Sequence, residues 1–324
     1  MKILICDFPQ EMNRNLAYET ELLRQGLPGV EVMAMQYQSP DTFRQELSDT
    51  DALLTAFLPL DEEALASASQ LKFISVNATG CNTIDLAAAR RLGIHVANVD
   101  AYCTGEVADH TMALLLALTR QLKAYDCRVQ ANRPWSFRPD QPLPRLAGQK
   151  LAVFGFGKIA QAVVKRAQAF DLQCLVVSRH LTGEEARCCG VRRVSCAEAL
   201  QQADILSNHM KQTADNVGFF SREAFQAMKR QPIFLNVGRG EAVDEAALAA
   251  ALDQGLVRAA GLDVFAQEGQ SLAESPFLQR ANVILTPHAA FYSEDSLREL
   301  QRLSCQHILW YFGGELDRIH CLVA

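Results

Sequence analysis

The sequence predicts an α/β fold with two doubly wound parallel sheets, and three observations support this fold class. Short apolar runs alternate with helical segments from the first residues, a pattern typical of βαβ units. A second alternating series begins at Lys150 and contains a glycine-rich turn. The chain has 324 residues, which is long enough for two domains.

The first series predicts a domain whose parallel sheet is covered by helices on both faces. Its strands are KILICDF, VEVMAM, DALLTAF, LKFISVNA and HVANV, and its helices are NLAYETELLRQG, DTFRQELS, LDEEALASAS and TIDLAAARRLG. The final segment, SEDSLRELQRLSCQHILWYFGG, is an amphipathic helix that we expect to return to this domain. The predicted domain is therefore discontinuous and comprises residues 1–98 and 290–324.

The second series predicts a domain of residues 99–289. Near its start, EVADHTMALLLALTRQL is apolar on most faces and predicts a buried helix, either in a domain core or at a subunit interface. The proline-rich stretch RPWSFRPDQPLPRLAGQ then predicts an ordered connecting loop. The strands that follow are LAVFGF, LQCLVVS, ADILSNH, PIFLNVG, AAGLDVF and NVILTPH.

Composition and charge argue against several classes of protein. The net charge of −6 argues against nucleic-acid binding, and no apolar run reaches the roughly 18 residues of a membrane span. The N-terminal MKILICDF predicts a buried strand and lacks the cleavage site of a signal peptide. The ten cysteines are scattered, without a CxxC pair or zinc spacing, so we predict no metal site. We expect a cytoplasmic protein that binds neither nucleic acid nor membranes.

The segment LAVFGFGKIAQ has the order strand, turn, helix that binds a dinucleotide. Gly155 permits a tight turn, Gly157 lets the backbone approach a pyrophosphate, and the small Ala160 lets helix and strand pack closely. The N-terminus of the helix then offers free N–H groups to the phosphates. This turn predicts a Rossmann-like domain that binds NAD(P)(H). Its other predicted contacts are Phe156, Lys158 and Ile159.

The end of the next strand bears on which dinucleotide binds. An acidic residue there normally holds the ribose 2′-hydroxyl of NAD, but this chain has Ser178, Arg179 and His180, and the first acid is Glu184. An arginine at this point can bind the 2′-phosphate of NADP. The sequence therefore favours NADP(H). The alternative is that Arg179 is a solvated surface residue and that NAD binds through other contacts.

Three later segments each follow a predicted strand, where open α/β sheets bind their ligands. FLNVGRGEAVDEAAL supplies Arg239, GLDVFAQEG supplies Glu268 and ILTPHAAFYSE supplies His288. A guanidinium can clamp the carboxylate and carbonyl oxygens of a 2-keto acid. An imidazolium can protonate the nascent alkoxide as hydride arrives, and a neighbouring carboxylate stabilises and orients that imidazolium. These residue types therefore predict hydride transfer to a 2-keto acid.

Together with NATGCNTIDL, these motifs resemble the D-isomer-specific 2-hydroxyacid dehydrogenase family over nearly the whole chain. The resemblance implies that Arg239 binds and polarises the substrate, and that His288 is the acid/base with Glu268 as its partner. It also implies that Asp263 holds the nicotinamide carboxamide. It places substrate-binding positions at Asn77, Ala78, Thr79 and Gly80. Further dinucleotide contacts are implied at Thr104, His209, Met210, Val237 and Gly238.

The same resemblance implies a flavodoxin-like substrate domain and an NAD(P)-binding domain with a cleft between them, in a homodimer. Two branches are near: the C-terminal-binding proteins, which are corepressors, and the hydroxypyruvate and glycerate dehydrogenases. The alternative to an enzyme is therefore a dinucleotide-sensing, corepressor-like binding protein with secondary dehydrogenase activity. The intact Arg239, Glu268 and His288 favour the enzyme. The sequence departs from the family at Cys81, Lys211 and Gly269.

Overall fold

The computed structural model describes residues 1–131, 135–138, 143–268 and 273–324. The chain divides into two compact units. Unit 1 comprises Met1–Tyr102 and Ser293–Ala324, and unit 2 comprises Cys103–Tyr292. Gly269 and parts of the proline-rich connecting loop lie outside the described residues. No helix in the described part of the chain is long and apolar enough to cross a membrane.

Unit 1 contains a five-stranded parallel sheet. Its strands are β1 (Lys2–Asp7), β2 (Glu31–Gln36), β3 (Ala52–Thr55), β4 (Phe73–Val76) and β5 (His95–Asn98), in the order β2-β1-β3-β4-β5. Its first four helices are α1 (Leu16–Gly26), α2 (Pro40–Leu47), α3 (Glu62–Ser67) and α4 (Leu86–Arg91). Side-chain oxygens cap the N-termini of these helices, from Asn15, Ser39, Asp61 and Asp85.

The C-terminal helix, Glu294–Phe312, belongs to unit 1, as expected from its amphipathic pattern. Its buried Cys305 and Ile308 share a hydrophobic cluster with Ile3 and Phe73 of the sheet. A second cluster fills the opposite face of the sheet, because successive strand residues point to opposite sides. The sheet is therefore covered on both faces, which explains why its strands are nearly continuous apolar runs.

Unit 2 contains a seven-stranded parallel sheet. Its strands are β6 (Lys150–Phe154), β7 (Gln173–Val177), β8 (Arg192–Arg193), β9 (Ile205–Asn208), β10 (Ile233–Asn236), β11 (Ala259–Leu262) and β12 (Val283–Leu285), in the order β12-β11-β10-β9-β6-β7-β8. Its helices are α5 (Thr104–Thr119), α6 (Leu122–Gln130), α7 (Lys158–Gln168), α8 (Gly183–Cys188), α9 (Cys196–Gln202), α10 (Arg222–Gln226) and α11 (Glu245–Asp253). The two parallel sheets confirm the predicted fold class.

The segment EVADHTMALLLALTRQL, which was predicted to be one helix, spans the end of one helix and the start of the next. Helix α5 ends at Thr119, and Gln121 has a left-handed φ of 52°, which breaks the helical hydrogen-bond ladder before α6 begins. Helix α5 packs on the sheet, and a Cβ added at Gly261 of β11 would lie 3.2 Å from the Cβ of Leu114. The apolar character of α5 is therefore explained by burial within unit 2.

The parallel direction of unit 2 brings the loops that follow its strands to one edge of the sheet. The turn at Gly155 follows β6, and Ser178 follows β7. His209 and Arg239 lie in the loops after β9 and β10. Asp263 and His288 lie in the loops after β11 and β12.

Candidate active site

His288 and Glu268 form a hydrogen-bonded pair in unit 2. Nδ1 of His288 lies 2.7 Å from Oε2 of Glu268, and the two side chains are 41% and 42% exposed. Burial acts to raise the pKa of Glu268, but its hydrogen bonds with His288 and Phe265 and the charges of His288 and Arg239 together leave that pKa below its usual value. An ionised Glu268 selects the tautomer with a proton on Nδ1, which leaves Nε2 to exchange a proton with a ligand.

The backbone of His288 has a φ of 52°, in the left-handed region that non-glycine residues rarely adopt. Strained residues of this kind persist where surrounding contacts hold them, and they cluster at functional sites. The N–H of His288 donates to the carbonyl oxygen of Asp263 at 2.7 Å. The conformation of His288 is therefore set by the loop after β11.

Asp263 is 1% exposed, and its carboxylate binds the turn that carries His288. Oδ1 accepts the N–H of Ala289 at 2.9 Å and the hydroxyl of Thr286, while Oδ2 accepts the N–H of Ala290 at 3.0 Å. The Asp263 carboxylate thus stabilises the turn that follows β12. Its implied contact with the nicotinamide carboxamide stays a prediction.

His110 is a further residue of this cluster, which the sequence analysis did not identify. It lies on α5, and its Nε2 is 3.0 Å from the hydroxyl of Thr286 and 3.6 Å from Oδ1 of Asp263. His110 is 176 residues from Thr286 in the chain, so no local sequence signal links them. Only the packing of α5 against the sheet brings the two together.

Arg239 is half-buried in the loop after β10. Its Nη1 donates a hydrogen bond to the carbonyl oxygen of Gly238 at 2.8 Å. Its charge is among the influences that lower the pKa of Glu268. The next residue, Gly240, crosses the loop after β11: an added Cβ would lie 1.9 Å from the carbonyl carbon of Phe265. Only glycine permits this crossing, which holds the Arg239 loop against the loop that carries Glu268.

The glycine turn fits a dinucleotide pyrophosphate. Gly155 has a φ of 87°, and an added Cβ would lie 2.8 Å from the carbonyl oxygen of His209. Among the described residues, a Cβ at Gly157 would meet nothing within 4 Å, and no side chain caps the N-terminus of α7, which Gly157 precedes. Open space therefore lies before an uncapped helix N-terminus, as a phosphate requires. Ala160 is fully buried, as expected for the close helix–strand contact.

A cavity of about 420 Å³ lies beside this turn. Its lining includes three of the predicted dinucleotide contacts, Phe156, Ser178 and His180. It also includes the carboxylates of Glu184 and Glu185, while Arg179 is exposed outside this lining and forms no ion pair with any described residue. The cavity thus offers both polar and acidic groups next to the glycine turn.

The other predicted dinucleotide positions lie at the same edge of unit 2. His209 lies 2.8 Å from the hydroxyl of Ser207 through Nε2, and burial lowers its pKa to about 4, so its imidazole is neutral at pH 7. The remaining positions are Thr104 at the start of α5, Lys158 and Ile159 in the first turn of α7, Met210 after β9, and Val237 and Gly238 after β10.

The four predicted substrate positions lie in unit 1, after β4. Asn77 is buried, and its Oδ1 accepts the hydroxyl of Ser304 at 3.0 Å, so its side chain is engaged within the unit. The backbone N–H groups of Ala78, Thr79 and Gly80 donate to no described residue. Three such N–H groups in succession are suited to binding a carboxylate.

Two buried amides, Asn208 and Asn236, were missed by the sequence analysis. They end β9 and β10, and Nδ2 of Asn208 donates to Oδ1 of Asn236 at 2.9 Å. An asparagine as the last residue of a buried strand was an available signal, because a buried amide must find partners. Across the described residues, no three His, Cys, Asp or Glu side chains are grouped to hold a metal ion.

Comparisons with known proteins identify the family of this chain. The family model described as "D-isomer specific 2-hydroxyacid dehydrogenase, NAD binding domain" matches residues 112–290. The D-3-phosphoglycerate dehydrogenase of Mycobacterium tuberculosis is 34% identical over 260 residues, which are 80% of this chain and 48% of that protein. The chain thus spans about half the length of the phosphoglycerate dehydrogenases it matches.

Two further relatives match over most of their length. The glyoxylate reductase of Korarchaeum cryptofilum is 31% identical over 276 residues, covering 84% of this chain and 82% of that protein. The solved structure of D-lactate dehydrogenase from Aquifex aeolicus, complexed with NAD and lactic acid, has a TM-score of 0.87 at 26% identity, covering 99% of this chain and 98% of that chain. The chain belongs to the D-isomer specific 2-hydroxyacid dehydrogenase family.

Proposed function

We propose that this protein reduces a small 2-keto acid to the D-2-hydroxy acid with NAD(P)H. The observation that carries the proposal is the hydrogen-bonded pair of His288 and Glu268, at the same sheet edge as Arg239 and the uncapped N-terminus of α7. In this proposal, unit 2 binds the dinucleotide and unit 1 supplies the substrate loop of residues 77–80. The relatives described above are named as dehydrogenases and reductases, and they give the corepressor alternative no support.

The nicotinamide, when bound, supplies the hydride. Arg239 binds the carboxylate and the carbonyl oxygen of the keto acid, and its charge stabilises the negative charge that develops on that oxygen. His288 donates a proton from Nε2 to the same oxygen, which completes the alcohol. Glu268 holds the imidazole through Nδ1 at 2.7 Å and stabilises its charged form before the proton leaves. The N–H groups of Ala78, Thr79 and Gly80 bind the substrate carboxylate.

The charges of unit 1 support a substrate without a phosphate group. The loops that follow its five strands contain one cation, Arg14. Nε of Arg14 donates to the fully buried Glu19 at 2.9 Å, so this guanidinium is already paired. A phosphate dianion needs cations to offset its charge. We therefore propose glyoxylate, hydroxypyruvate or pyruvate as the kind of substrate, rather than a phosphorylated keto acid.

For the cofactor we propose a preference for NADP(H). The exposed Arg179, which forms no ion pair with a described residue, supports this preference because a 2′-phosphate can bind a guanidinium. Glu184 and Glu185 act against it, because they line the neighbouring cavity and repel a phosphate. Thr182 donates to Glu185 through both N–H and hydroxyl at 2.8 Å, and these bonds lower the pKa of Glu185, so that this carboxylate stays ionised.

We also propose a cytoplasmic homodimer. Its interface would include the exposed apolar side chains of Leu122 and Val129 on α6, with Trp135 and Phe137. The hydroxyl of Tyr125 donates to the carbonyl oxygen of Phe137 at 2.7 Å, which holds these residues beside α6. The cytoplasmic location is supported by the ten scattered cysteines, which lack the spacing of a disulfide framework and suit a reducing compartment. A sedimentation measurement that gives a monomer at micromolar concentration would contradict the dimer.

The decisive experiment compares initial rates of NADPH and NADH oxidation with glyoxylate, hydroxypyruvate, pyruvate and 3-phosphohydroxypyruvate. We expect turnover of the unphosphorylated acids, faster with NADPH at low cofactor concentration. Preferential turnover of the phosphorylated acid would contradict the substrate class. Tight dinucleotide binding without turnover of any keto acid would contradict the enzymatic function.

A further inference from the structure

A buried amide bridge, formed by Asn208 and Asn236, links two loops of the candidate site. Both residues are essentially unexposed, at 0% and 1%. Oδ1 of Asn208 accepts the N–H of Met210 at 3.1 Å, and its Nδ2 donates to Oδ1 of Asn236 at 2.9 Å. The bridge therefore begins at the loop after β9, where dinucleotide contacts are predicted.

The second half of the bridge holds the Arg239 loop. Oδ1 of Asn236 accepts the N–H of Gly238 at 3.2 Å, and Nδ2 of Asn236 donates to the carbonyl oxygen of Arg239 at 3.0 Å. The backbone of Arg239 is thus bound on one side by Asn236. On its other side Gly240 lies directly against the backbone of Phe265. These contacts restrict the position from which the guanidinium of Arg239 extends.

Close packing makes this bridge stiff. A Cβ added at Gly238 would lie 3.1 Å from Nδ2 of Asn208 and 3.3 Å from the carbonyl oxygen of Met210. The loop after β9 also touches the glycine turn, where a Cβ at Gly155 would lie 2.8 Å from the carbonyl oxygen of His209. The loop after β9 is therefore in backbone contact with both the glycine turn and the Arg239 loop. The two amides lie between the loop after β9 and the Arg239 loop.

We propose that Asn236 is a positioning residue for Arg239, and that Asn208 ties this position to the dinucleotide loop at Met210. The inference rests on the proposed function, because it assigns Arg239 to the keto acid. Neither amide reaches a ligand in this scheme, since both are fully buried. Their effect is transmitted through the backbone of Gly238 and Arg239. A displaced Arg239 would bind the keto acid less well, and dinucleotide binding would weaken to a smaller degree, because Gly238 is also a predicted dinucleotide contact.

The test is Asn236→Ala, with binding and kinetics measured separately. We expect the KM for the keto acid to rise by about tenfold or more, while the Kd for NADPH, from fluorescence titration, rises by a smaller factor. Asn208→Ala should weaken the binding of both the keto acid and NADPH, because Asn208 contacts the loop after β9 and the Arg239 loop. Combining Asn236→Ala with Arg239→Lys should raise the keto-acid KM by less than the product of the single effects, because Asn236 acts through Arg239.

Asn282→Ala is the matched control. Nδ2 of Asn282 also donates to a backbone carbonyl oxygen, that of Arg258, at 2.9 Å. This bond lies at the amino ends of β11 and β12, away from the site loops. This variant should lose stability and keep the wild-type KM. If Asn236→Ala does not fold, Asn208→Ala tests the inference instead. The inference then requires that Asn208→Ala raise the keto-acid KM. An unchanged keto-acid KM in a folded variant overturns the inference alone. Absence of turnover in the unaltered protein overturns the proposed function and the inference with it.

Discussion

Asp263 holds His288 in its strained conformation from both sides of the turn. Its carbonyl oxygen accepts the N–H of His288 at 2.7 Å, and its carboxylate accepts the N–H groups of the two following residues, Ala289 and Ala290. The carboxylate is buried and therefore rigid. The position of the imidazole thus depends on a residue that precedes it by 25 positions.

The first prediction concerns this relationship. Asn in place of Asp263 offers one acceptor atom instead of two, so at least one N–H of the turn loses its partner. We expect Asp263→Asn to lower the free energy of unfolding by about 1–3 kcal/mol and to reduce turnover. Urea unfolding and initial rates would measure the two effects. Wild-type values for both would show that the carboxylate does not hold the turn.

The second prediction tests the proton donor. We expect His288→Asn to reduce kcat by about 10²–10⁴-fold and to leave the Kd for NADPH within about twofold. Asn is the better replacement, because it tolerates the left-handed φ of 52° at this position. His95, which lies in unit 1, gives a control in His95→Asn, and this variant should keep its turnover. Undiminished kcat in His288→Asn would mean that another group supplies the proton.

The third prediction concerns pH dependence through Glu268. Its pKa lies below the usual value, so the carboxylate stays ionised at neutral pH and becomes protonated only as pH falls through that lowered value. We expect Glu268→Gln to reduce kcat for reduction and to flatten the acid limb of the pH–rate profile, because an amide has no carboxylate to protonate as pH falls. A full profile with one keto acid would show this. An acid limb as steep as that of the wild type would indicate that protonation of Glu268 does not limit the rate.

The fourth prediction concerns acid stability. Burial lowers the pKa of His307 to about 4, with Asp100 acting weakly in the opposite direction. Between roughly pH 6.5 and this value, the unfolded chain binds more protons at His307 than the folded chain, so stability falls as pH falls. At the acid end of this pH range, His307 should lower the free energy of unfolding by at most about 3 kcal/mol.

His307→Gln tests this by removing the titrating group. The urea midpoint of that variant should depend less on pH between 6.5 and 4 than the wild-type midpoint does. His209 acts in the same direction, because burial also lowers its pKa to about 4, so part of the dependence should remain. Identical slopes in the two proteins would contradict the assignment to His307.

The fifth prediction concerns cofactor choice. We expect Arg179→Ala to raise the KM for NADPH by about tenfold and to leave the KM for NADH nearly unchanged, because only the 2′-phosphate needs the guanidinium. Arg187→Ala on α8 is a control, since Arg187 is also exposed in unit 2. Equal effects on both cofactors in Arg179→Ala would mean that the residue does not recognise the phosphate.

Much of the fold could be predicted from the sequence, because it depends on local patterns. Apolar runs of strand length alternate with helical periodicity, and this pattern by itself determined two parallel sheets and the glycine turn. The break at Gln121 escaped prediction, because the apolar pattern continues across it and the left-handed φ has no composition signal. The short β8 also escaped, since two arginines do not form an apolar run.

The candidate residues Arg239, Glu268 and His288 were suggested by sequence motifs, but their geometry depends on the tertiary structure. The 2.7 Å contact of His288 with Glu268 needs two loops that only the pairing of β11 with β12 brings together. The contact of His110 with Thr286 and the bond between Asn208 and Asn236 depend on the fold, because these partners lie 176 and 28 residues apart. An asparagine at the end of a buried strand was a signal for the amides, but packing decided which partner each amide found. The sequence thus determined which elements form, and tertiary packing decided which polar groups meet.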